Sequence, residues 1–458
     1  MMMKGSKANI LEAIGETPIV RLSPSFTGVE SDIYVKLEYL NPGGSTKDRI
    51  GVYMIDQAVK NSKLPPGGTI IEGTSGNTGV GIAMYAALHG YKCIFVINDK
   101  QSKEKIDNLK AYGAKVVICP TDVAPEDPRS YYSVSKKLAQ TIPHSYYVNQ
   151  YDNLWNRETH YKFTAPEIHR QTDGEFDIFM AAVGTGGTIS GCATYFKEHC
   201  PHIKIVGVDC VGSIVAHYWK TGEMTEAHSY VLEGIGEDFI PKNYDFEKID
   251  DFEVVGDKES FLITRRLLSE QAIYCGGSAG AGVLAAIHHA RKLKSPKKIL
   301  VLLHDSGDRY RSKIFNDDWM SENNYFEGKL QCSLGEIIQK IGKEKLVAIV
   351  ETSHNISHVL DLMEKTGLGA IPVSDGKDIL GVIKSERLTS PLFEQTLNLE
   401  DNVSTIYSQD FVQLDVSDPV EKALEAFKKQ KVVIVCSNGR PIDILSEKDV
   451  LKLMRSLG

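Results

Sequence analysis

The feature that most constrains the fold is an alternation of short apolar runs with helical stretches along the first 300 residues or so. The clearest apolar runs are Cys93–Ile97, Lys115–Cys119, Ile178–Val183, Lys204–Val208 and Lys298–Leu303. Strands that are apolar on both faces are typical of a parallel sheet covered by helices on both sides. The stretches 76–88 and 103–112 have the apolar spacing and end signals of helices. The sequence therefore predicts an α/β core.

Residues 330–458 show a different organisation, an internal repeat. Each half has an apolar run, a helical stretch and two further apolar runs. They lie at 347–350, 356–365, 369–373 and 379–383, and again at 411–414, 420–429, 431–435 and 441–445. A unit of this kind that occurs twice indicates two copies of one small domain. We place the boundary near residue 328, with domains at 1–328 and 329–458 and repeats at about 334–390 and 400–458.

Composition excludes several classes of protein. At 458 residues the chain suggests two or three domains, and its net charge of −8 argues against a general nucleic-acid binder. No apolar run is long enough for a membrane span, and the N-terminus lacks the apolar core of a signal peptide, so we expect a cytoplasmic protein. The eight cysteines form no CxxC pair, and we expect buried reduced thiols and no metal site.

One lysine lies in a loop of small residues, 41–50, after a strand-like run at 33–38 and before a helical run at 50–59. The amine of a lysine held in such a loop, here Lys47, can form a Schiff base with a carbonyl cofactor. The alternative is a surface turn with a solvated lysine, and the loop by itself favours that alternative.

Two further loops carry anion-binding chemistry. Residues 72–79 follow an apolar run and open a helix, where backbone N–H groups and the hydroxyls of Thr74, Ser75 and Thr78 suit a carboxylate. Residues 184–188, Gly-Thr-Gly-Gly-Thr, also open a helix and form a phosphate cradle that fits a monophosphate better than a dinucleotide. The alternative for the first loop is a turn that merely caps its helix.

A fourth loop, 275–282, places Ser278 at the start of a helix, where its hydroxyl can bond a ring nitrogen. Close packing at a strand-to-helix corner is an equal alternative for this loop alone. The carboxyl ends of parallel strands meet at one edge of a sheet, so the four loops are expected to gather there. A lysine, a carboxylate site, a monophosphate site and a partner for a pyridine nitrogen together describe pyridoxal 5′-phosphate (PLP) and its amino-acid substrate.

The order of these motifs resembles one group of enzymes. Residues 8 to about 326 look like the fold-type II (tryptophan synthase β-like) PLP enzymes that act at the β-carbon of amino acids. Within that group, the cystathionine β-synthase family is most similar, followed by the cysteine synthases (O-acetylserine sulfhydrylases). The supporting stretches are Ile14–Pro18, Gly43–Arg49, Thr74–Gly79, Gln150–Tyr151, Gly184–Thr188, Glu233–Gly236 and Gly276–Ser278.

The resemblance implies a role for each matching residue. Lys47 would be the Schiff-base lysine, Asn77 the partner of the PLP 3′-oxygen, and Ser278 the partner of the pyridine nitrogen. The phosphate would be held by Gly184, Thr185, Gly186, Gly187 and Thr188. The substrate carboxylate would be held by Thr74, Ser75, Thr78 and Gln150. Tyr151 and Gly236 would line the site, and Glu237 stands where the mammalian enzymes have tyrosine, which leaves the choice between serine and O-acetylserine open.

The implied activity is PLP-dependent β-replacement, condensing L-serine with L-homocysteine to L-cystathionine and water, with hydrogen sulfide from cysteine as a further product. Cysteine synthase activity and O-acetylserine-dependent cystathionine synthesis are the alternatives. A non-enzymatic sensor of adenosyl nucleotides is a third. Haem-binding relatives carry an N-terminal extension with cysteine and histidine ligands, and since the core here begins near Met1, haem is not expected.

The repeats at the end of the chain resemble a tandem pair of CBS domains, a Bateman module. In nucleotide-binding CBS domains, a Ser or Thr and an Asp three residues later contact the ribose. Ser446 and Asp449 fit this pattern, whereas Lys384 and Arg387 in the first repeat do not. The pattern implies at most one adenosyl site, for S-adenosylmethionine, AMP or ATP, and the alternative is a purely structural dimerisation module. The resemblance also implies small amino-acid substrates and a homodimer or larger homo-oligomer.

Overall fold

The computed structural model describes residues 3–124, 127–326, 333–341, 348–437, 439–447 and 449–450. The chain divides into two compact units, 1–326 and 327–458. The boundary predicted at residue 328 lies outside the described residues. Among the described helices, none has both the length and the apolarity to cross a membrane.

The first unit contains two sheets. One has six strands in the order β1-β2-β10-β7-β8-β9, and the other has four in the order β5-β4-β3-β6. Every neighbouring pair is parallel except β1 with β2. The strands are β1 Ile19–Arg21, β2 Asp32–Leu37, β3 Thr69–Gly73, β4 Lys92–Asn98, β5 Lys115–Cys119, β6 Ser145–Tyr147, β7 Ile178–Ala182, β8 Lys204–Cys210, β9 Asp251–Val255 and β10 Lys298–Leu303.

Helices connect these strands and cover both faces of the sheets. They are α1 Pro24–Thr27, α2 Lys47–Lys60, α3 Asn77–His89, α4 Lys103–Ala111, α5 Tyr131–Thr141, α6 Trp155–Thr159, α7 Ala165–Thr172, α8 Gly187–His199, α9 Val215–Thr221, α10 Asp257–Gln271, α11 Gly277–Lys292 and α12 Asp317–Glu322. A turn of π-helix, His160–Thr164, joins α6 to α7.

Alternation along β7 explains why the central strands are apolar throughout. Ile178 and Met180 pack into the core on one face of the six-stranded sheet. Phe179 and Ala181 point the other way and pack into the core on the opposite face. Because both faces are buried, every residue of the strand contributes to a core, and burial of a side chain such as Phe179 stabilises the fold by about 2 kcal/mol.

The lysine loop lies beside the carboxyl end of β10. The N–H of Thr46 donates to the carbonyl of His304, just after β10, at 2.8 Å. Helix α2 begins at Lys47 itself, three residues before the start predicted from the apolar pattern. The Asp48 carboxyl group, whose pKa is raised to about 7 by burial, accepts the Gly43 N–H and so ties the loop to the first turn of the helix.

The second unit contains the predicted repeat. Its two three-stranded sheets run β11-β12-β13 and β14-β15-β16, each with one parallel and one antiparallel pair. The strands are β11 Val350–Glu351, β12 Ala370–Ser374, β13 Ile379–Lys384, β14 Phe411–Asp415, β15 Val432–Ser437 and β16 Arg440–Leu445. The helices are α13 Leu334–Ile341, α14 Ile356–Thr366, α15 Glu386–Phe393 and α16 Val420–Lys428.

The two repeats exchange their leading segments. Leu334 and Ile337 of α13, at the start of the first repeat, are buried in the core with the strands of the second. Leu397 and Val403, at the junction with the second repeat, are buried in the core with the strands of the first. The internal repeat in the sequence predicted two copies of one unit, but not this exchange, because apolar periodicity does not say which core a helix covers.

Candidate active site

The candidate site is a narrow cleft at the carboxyl ends of the parallel strands. Lys47 lies in its lining at the first position of α2. Burial lowers the pKa of Lys47 to about 8, and Asp305 and Glu38 oppose the shift. The lining residues are Lys47, Ser75, Gln150, Tyr151, Ala182, Val183, Gly184, Thr185, Gly186, Thr188, Ile189, Gly234 and Glu237.

The structure brings most of the predicted site residues to this cleft. The predicted residues that line it are Lys47, Ser75, Gln150, Tyr151, Gly184, Thr185, Gly186, Thr188 and Glu237. Buried outside its lining are Thr74, Asn77, Thr78, Gly187 and Ser278. Gly236 lines a neighbouring cavity instead.

The phosphate loop, residues 184–188, follows β7 and runs into the N-terminus of α8. Gly186 has φ +80°, and a Cβ at this position would lie 2.7 Å from the ring of Tyr244. A Cβ at Gly187 would lie 2.0 Å from Oδ1 of Asn156. Glycine is therefore required at both positions, and the backbone N–H groups of the helix N-terminus are left open to an anion.

The predicted carboxylate site is held together by side-chain hydrogen bonds. Thr78 Oγ1 donates to Gln150 Oε1 at 2.6 Å, and Gln150 Nε2 donates to the carbonyl of Gly73 at 3.1 Å. The buried carboxylate of Glu72 accepts the N–H groups of Asn149 and Gln150 at 2.7 and 3.1 Å. Burial raises the pKa of Glu72 to about 8, although these hydrogen bonds lower it. The segments 72–78 and 149–151 therefore meet.

Asn77 is oriented by Asp305, a residue that sequence reasoning missed. Asn77 Nδ2 donates to Asp305 Oδ2 at 2.8 Å, and the hydroxyl of Tyr310 donates to the same oxygen at 2.7 Å. Asn77 Oδ1 and Asp305 Oδ1 are buried and have no hydrogen-bond partner among the described residues. The available signal was a carboxylate directly after strand β10, at the edge where the loops gather.

Ser278 follows Gly276, which is hydrogen-bonded to the loop after β10. It is the second residue of α11 and is 2% exposed. The N–H of Gly276 donates to the carbonyl of Asp305 at 2.9 Å, which places the start of α11 beside the loop after β10. The predicted contact of Ser278 with a ring nitrogen stays a prediction.

His160 contacts Thr188, the last residue of the phosphate loop. Its Nε2 lies 3.2 Å from Thr188 Oγ1, and its Nδ1 lies 2.9 Å from Thr164 Oγ1. Burial lowers the pKa of His160 to about 3, helped by the charges of Lys47 and Arg49. The imidazole is therefore neutral and orients the Thr188 hydroxyl. π-Helical turns are frequent at functional sites, but nothing in the sequence marks one here.

The loop 233–237 forms the outer wall of the cleft and is fixed by buried ion pairs. The Glu233 carboxylate lies 2.7 Å from the amines of both Lys105 and Lys313. Burial raises the pKa of Glu233, but the two lysines outweigh it and lower the pKa below its ordinary value. At the other end of the loop, burial and the neighbouring Asp238 raise the pKa of Glu237 well above its ordinary value.

Beyond this wall lies a larger cavity that is open to solvent. It shares Ser75, Tyr151, Gly234 and Glu237 with the Lys47 cleft, so the two spaces are adjacent. Its lining adds the amine-bearing Lys100, whose Nζ lies 4.2 Å from the ring centroid of Tyr230.

These residues fit PLP. The site offers an amine with a lowered pKa, a helix N-terminus kept open by two glycines, and a buried amide whose oxygen has no partner among the described residues. In such a site Lys47 would hold the cofactor aldehyde and residues 184–188 its phosphate.

Comparison with known proteins agrees with this fit. A family model described as pyridoxal-phosphate dependent enzyme matches residues 10–305, and the CBS domain model matches 338–392 and 403–456. Cystathionine beta-synthase of Dictyostelium discoideum is 36% identical, over 98% of this chain and 92% of that protein.

Two solved structures resemble the first unit. One is the O-acetylserine dependent cystathionine beta-synthase of Helicobacter pylori, 39% identical, with a TM-score of 0.62 over 68% of this chain and 99% of that one. The other is a hydrogen sulfide-producing enzyme of Fusobacterium nucleatum, 33% identical, with a TM-score of 0.61 over 67% of this chain and 99% of that one.

The fold and the site thus define a fold-type II PLP-dependent enzyme with a C-terminal pair of CBS domains, as the sequence predicted. Within that class, the chain belongs to the cystathionine beta-synthase family.

The predicted regulatory residues lie next to each other in the second unit. The carboxylate of Asp449 accepts the Ser446 hydroxyl at 2.6 Å and the Ser446 N–H at 3.0 Å. This arrangement is typical of a helix N-terminus and gives the pair a structural role. A ribose contact by Ser446 and Asp449 stays a prediction.

Proposed function

We propose that the protein condenses L-serine with L-homocysteine to give L-cystathionine and water. The observation that carries the choice of an amino-acid thiol over sulfide is a second cavity that adjoins the Lys47 cleft and shares four lining residues with it. Its lining combines the cationic Lys100 with the exposed Asp238, so it can receive the two charged groups of a second amino acid. Sulfide needs no such space.

Different residues of the chain bind the substrate and transfer protons. The hydroxyls and backbone of residues 74–78, with Gln150, bind the carboxylate of the first substrate and orient its α-hydrogen toward Lys47. PLP, when bound, supplies the electron sink that stabilises charge at the substrate α-carbon.

Lys47 then acts as the proton carrier. Its lowered pKa leaves a sizeable fraction of free amine near neutral pH, which can take the α-proton. The resulting ammonium protonates the hydroxyl that leaves the β-carbon as water. Lys47 then takes the thiol proton of homocysteine, the thiolate forms the new carbon–sulfur bond at the β-carbon, and Lys47 returns that proton to the α-carbon.

O-Acetylserine is a second candidate donor. The similarity to the O-acetylserine dependent enzyme of Helicobacter pylori favours it. An assay that pairs serine or O-acetylserine with homocysteine or sulfide tests both proposals. We expect the highest kcat/KM for serine with homocysteine. Faster turnover of O-acetylserine with homocysteine would show that O-acetylserine is the preferred donor. Faster turnover of either donor with sulfide would show that the protein makes cysteine and not cystathionine. Release of hydrogen sulfide from cysteine is the further reaction to measure.

We also propose that the CBS pair binds one adenosyl nucleotide, with S-adenosylmethionine first and AMP or ATP as alternatives. Calorimetric titration of the full chain with each ligand tests this. An Asp449→Ala variant should lose binding, and an Arg387→Ala variant in the other repeat should keep it. Haem is not expected, and a purified sample with a haem absorption band would contradict this.

Finally, we propose a cytoplasmic homodimer. Six of the seven described cysteines are buried and all seven are free, which suits a reducing compartment. Light scattering measures the oligomeric state, and a monomeric mass at micromolar concentration would contradict the dimer.

A further inference from the structure

Asn156 lies between two loops that the site needs but that are separate in the sequence. It is the second residue of α6 and is 1% exposed. Its Nδ2 donates to the carbonyl of Gln150 at 2.9 Å and to Thr185 Oγ1 at 3.0 Å. One amide nitrogen therefore bonds the turn at 149–151, which belongs to the carboxylate site, and the phosphate loop.

The bond to Thr185 fixes the direction of a hydroxyl in the phosphate loop. Because Thr185 Oγ1 accepts the amide N–H, its own hydrogen remains available to donate into the cleft that Thr185 lines. The bond to Gln150 holds the backbone of the residue whose side chain meets Thr78.

A second observation shows that the phosphate loop is shaped around this amide. A Cβ at Gly187 would lie 2.0 Å from Oδ1 of Asn156, so no residue other than glycine fits without displacing the amide. Oδ1 is buried and has no hydrogen-bond partner among the described residues. The amide is therefore held by its two donated bonds and by the close approach of the loop.

We infer that Asn156 is a positioning residue that couples the phosphate loop to the carboxylate site. An anion on one loop orders its segment and, through the shared amide, pre-orders the other. Coupling of this kind is reciprocal. A bound carboxylate therefore tightens binding of the cofactor phosphate, and a bound phosphate tightens binding of the carboxylate.

The coupling can be measured without turnover. The dissociation constant of PLP is determined for the full-length protein with and without saturating acetate, at constant ionic strength. Acetate is a suitable probe because it carries the carboxylate but has no amine to react with the cofactor. In the wild type we expect acetate to tighten PLP binding by about 5-fold or more. In Asn156→Ala we expect the ratio of the PLP dissociation constants without and with acetate to fall to near one. We also expect the ³¹P resonance of bound PLP to stop responding to acetate.

Asn243→Ala is the matched control. Asn243 is also buried, and its Nδ2 donates to the carbonyls of Gln150 and Tyr151 at 2.8 and 2.7 Å, so this amide holds the same turn without a bond to Thr185. We expect this variant to bind acetate more weakly. At saturating acetate it should keep the wild-type ratio of PLP dissociation constants without and with acetate. Should Asn156→Ala not fold, Asn156→Asp keeps the shape and removes both donated bonds, and the same loss of coupling is expected.

A wild type with no acetate effect, or a folded Asn156 variant that keeps the wild-type ratio, would overturn the inference. The inference would also be overturned if Asn243→Ala lost the acetate effect as well. The effect would then depend on the turn at 149–151 and not on the two hydrogen bonds of Asn156. The outcome does not depend on which donor or thiol the enzyme uses.

Discussion

Lys47 is the residue on which the chemistry depends. The surrounding fold lowers its pKa to about 8 by burial and places it in one cleft with the phosphate loop. Lys47→Ala should lower kcat by about 100-fold or more, since a positioned proton carrier contributes at least that much. Borohydride reduction followed by peptide mass spectrometry should find the cofactor on residue 47 in the wild type.

The exposed lysine at the start of α4 gives the control for that experiment. Lys103→Ala, which changes an exposed residue, should keep both activity and cofactor labelling. A Lys47→Ala protein that turns over at the wild-type rate would contradict the mechanism.

Lys100 is the residue that we expect to recognise the thiol substrate. It lines the outer cavity and lies over the ring of Tyr230. Lys100→Met should lower kcat/KM for homocysteine by about 10-fold, the usual effect of losing a charged hydrogen bond, and leave kcat/KM for sulfide unchanged. Equal losses for both thiols would show that Lys100 does not bind the amino-acid part. Lys103→Met is the control.

His160 makes the stability of the first unit depend on pH. Its pKa is about 3 in the folded protein and about 6.5 when unfolded, so the folded state binds the proton less well. Stability is therefore full above the unfolded pKa and falls as the pH is lowered toward the folded value. Between pH ~7.5 and pH ~5 this one group should remove about 2 kcal/mol.

His160→Gln removes the titrating group. The difference in unfolding free energy between wild type and variant should therefore shrink by about 2 kcal/mol at the lower pH. Urea unfolding at the two pH values measures it. An identical difference at both values would mean that His160 does not titrate between them.

At the scale of elements, the ion pairs around Glu233 tie helix α4 to the loop that carries Gly234, Gly236 and Glu237. The side chains of Lys105 and Glu233 are 0% and 2% exposed. Glu233→Ala leaves the Lys105 charge buried without this partner and should destabilise the first unit by about 3 kcal/mol or more. Chemical denaturation measures the change.

An exposed pair provides the comparison. Arg266 and Glu270 are 44% and 42% exposed, so Glu270→Ala should change the unfolding free energy by less than about 1 kcal/mol. Replacing both Lys105 by Met and Glu233 by Leu should recover most of the stability, because the fully buried Lys105 charge is then gone and the Lys313 side chain, which loses the same partner, is 19% exposed to solvent. A double variant as unstable as Glu233→Ala would place the effect in the loop itself.

At the scale of the whole molecule, each compact unit has its own cores. Thermal unfolding should therefore show two transitions. PLP at about 100 times its dissociation constant should stabilise only the first unit, by about 2.7 kcal/mol. S-adenosylmethionine should shift only the second transition. Differential scanning calorimetry tests this, and a single transition moved by both ligands would contradict it.

Much of this protein could be predicted from local chemistry. Near-continuous apolar strands such as Ile178–Val183 predicted a sheet buried on both faces, and the repeat at the end of the chain predicted two small sheets. The four loops were found because glycines, hydroxyls and a lysine at helix starts bind anions and aldehydes wherever such loops occur.

The residues that hold those loops in place could not be predicted in this way. Asp305 is 228 residues from Asn77, and Glu72 is 78 residues from Gln150. Asn156 reaches Thr185 across 29 residues, and α13 crosses to the core of the second repeat. A single Asn or Glu has no periodicity of its own, so its role exists only once its partner is near.

The sequence by itself determined which segments become strands and helices and which loops have the chemistry to hold a phosphate, a carboxylate and an aldehyde, because these properties depend on neighbours in the chain. The tertiary structure alone decided how the loops are joined to one another and how low the pKa of Lys47 falls. Those properties depend on burial and on contacts between residues far apart in sequence, which only the packed chain brings within bonding distance.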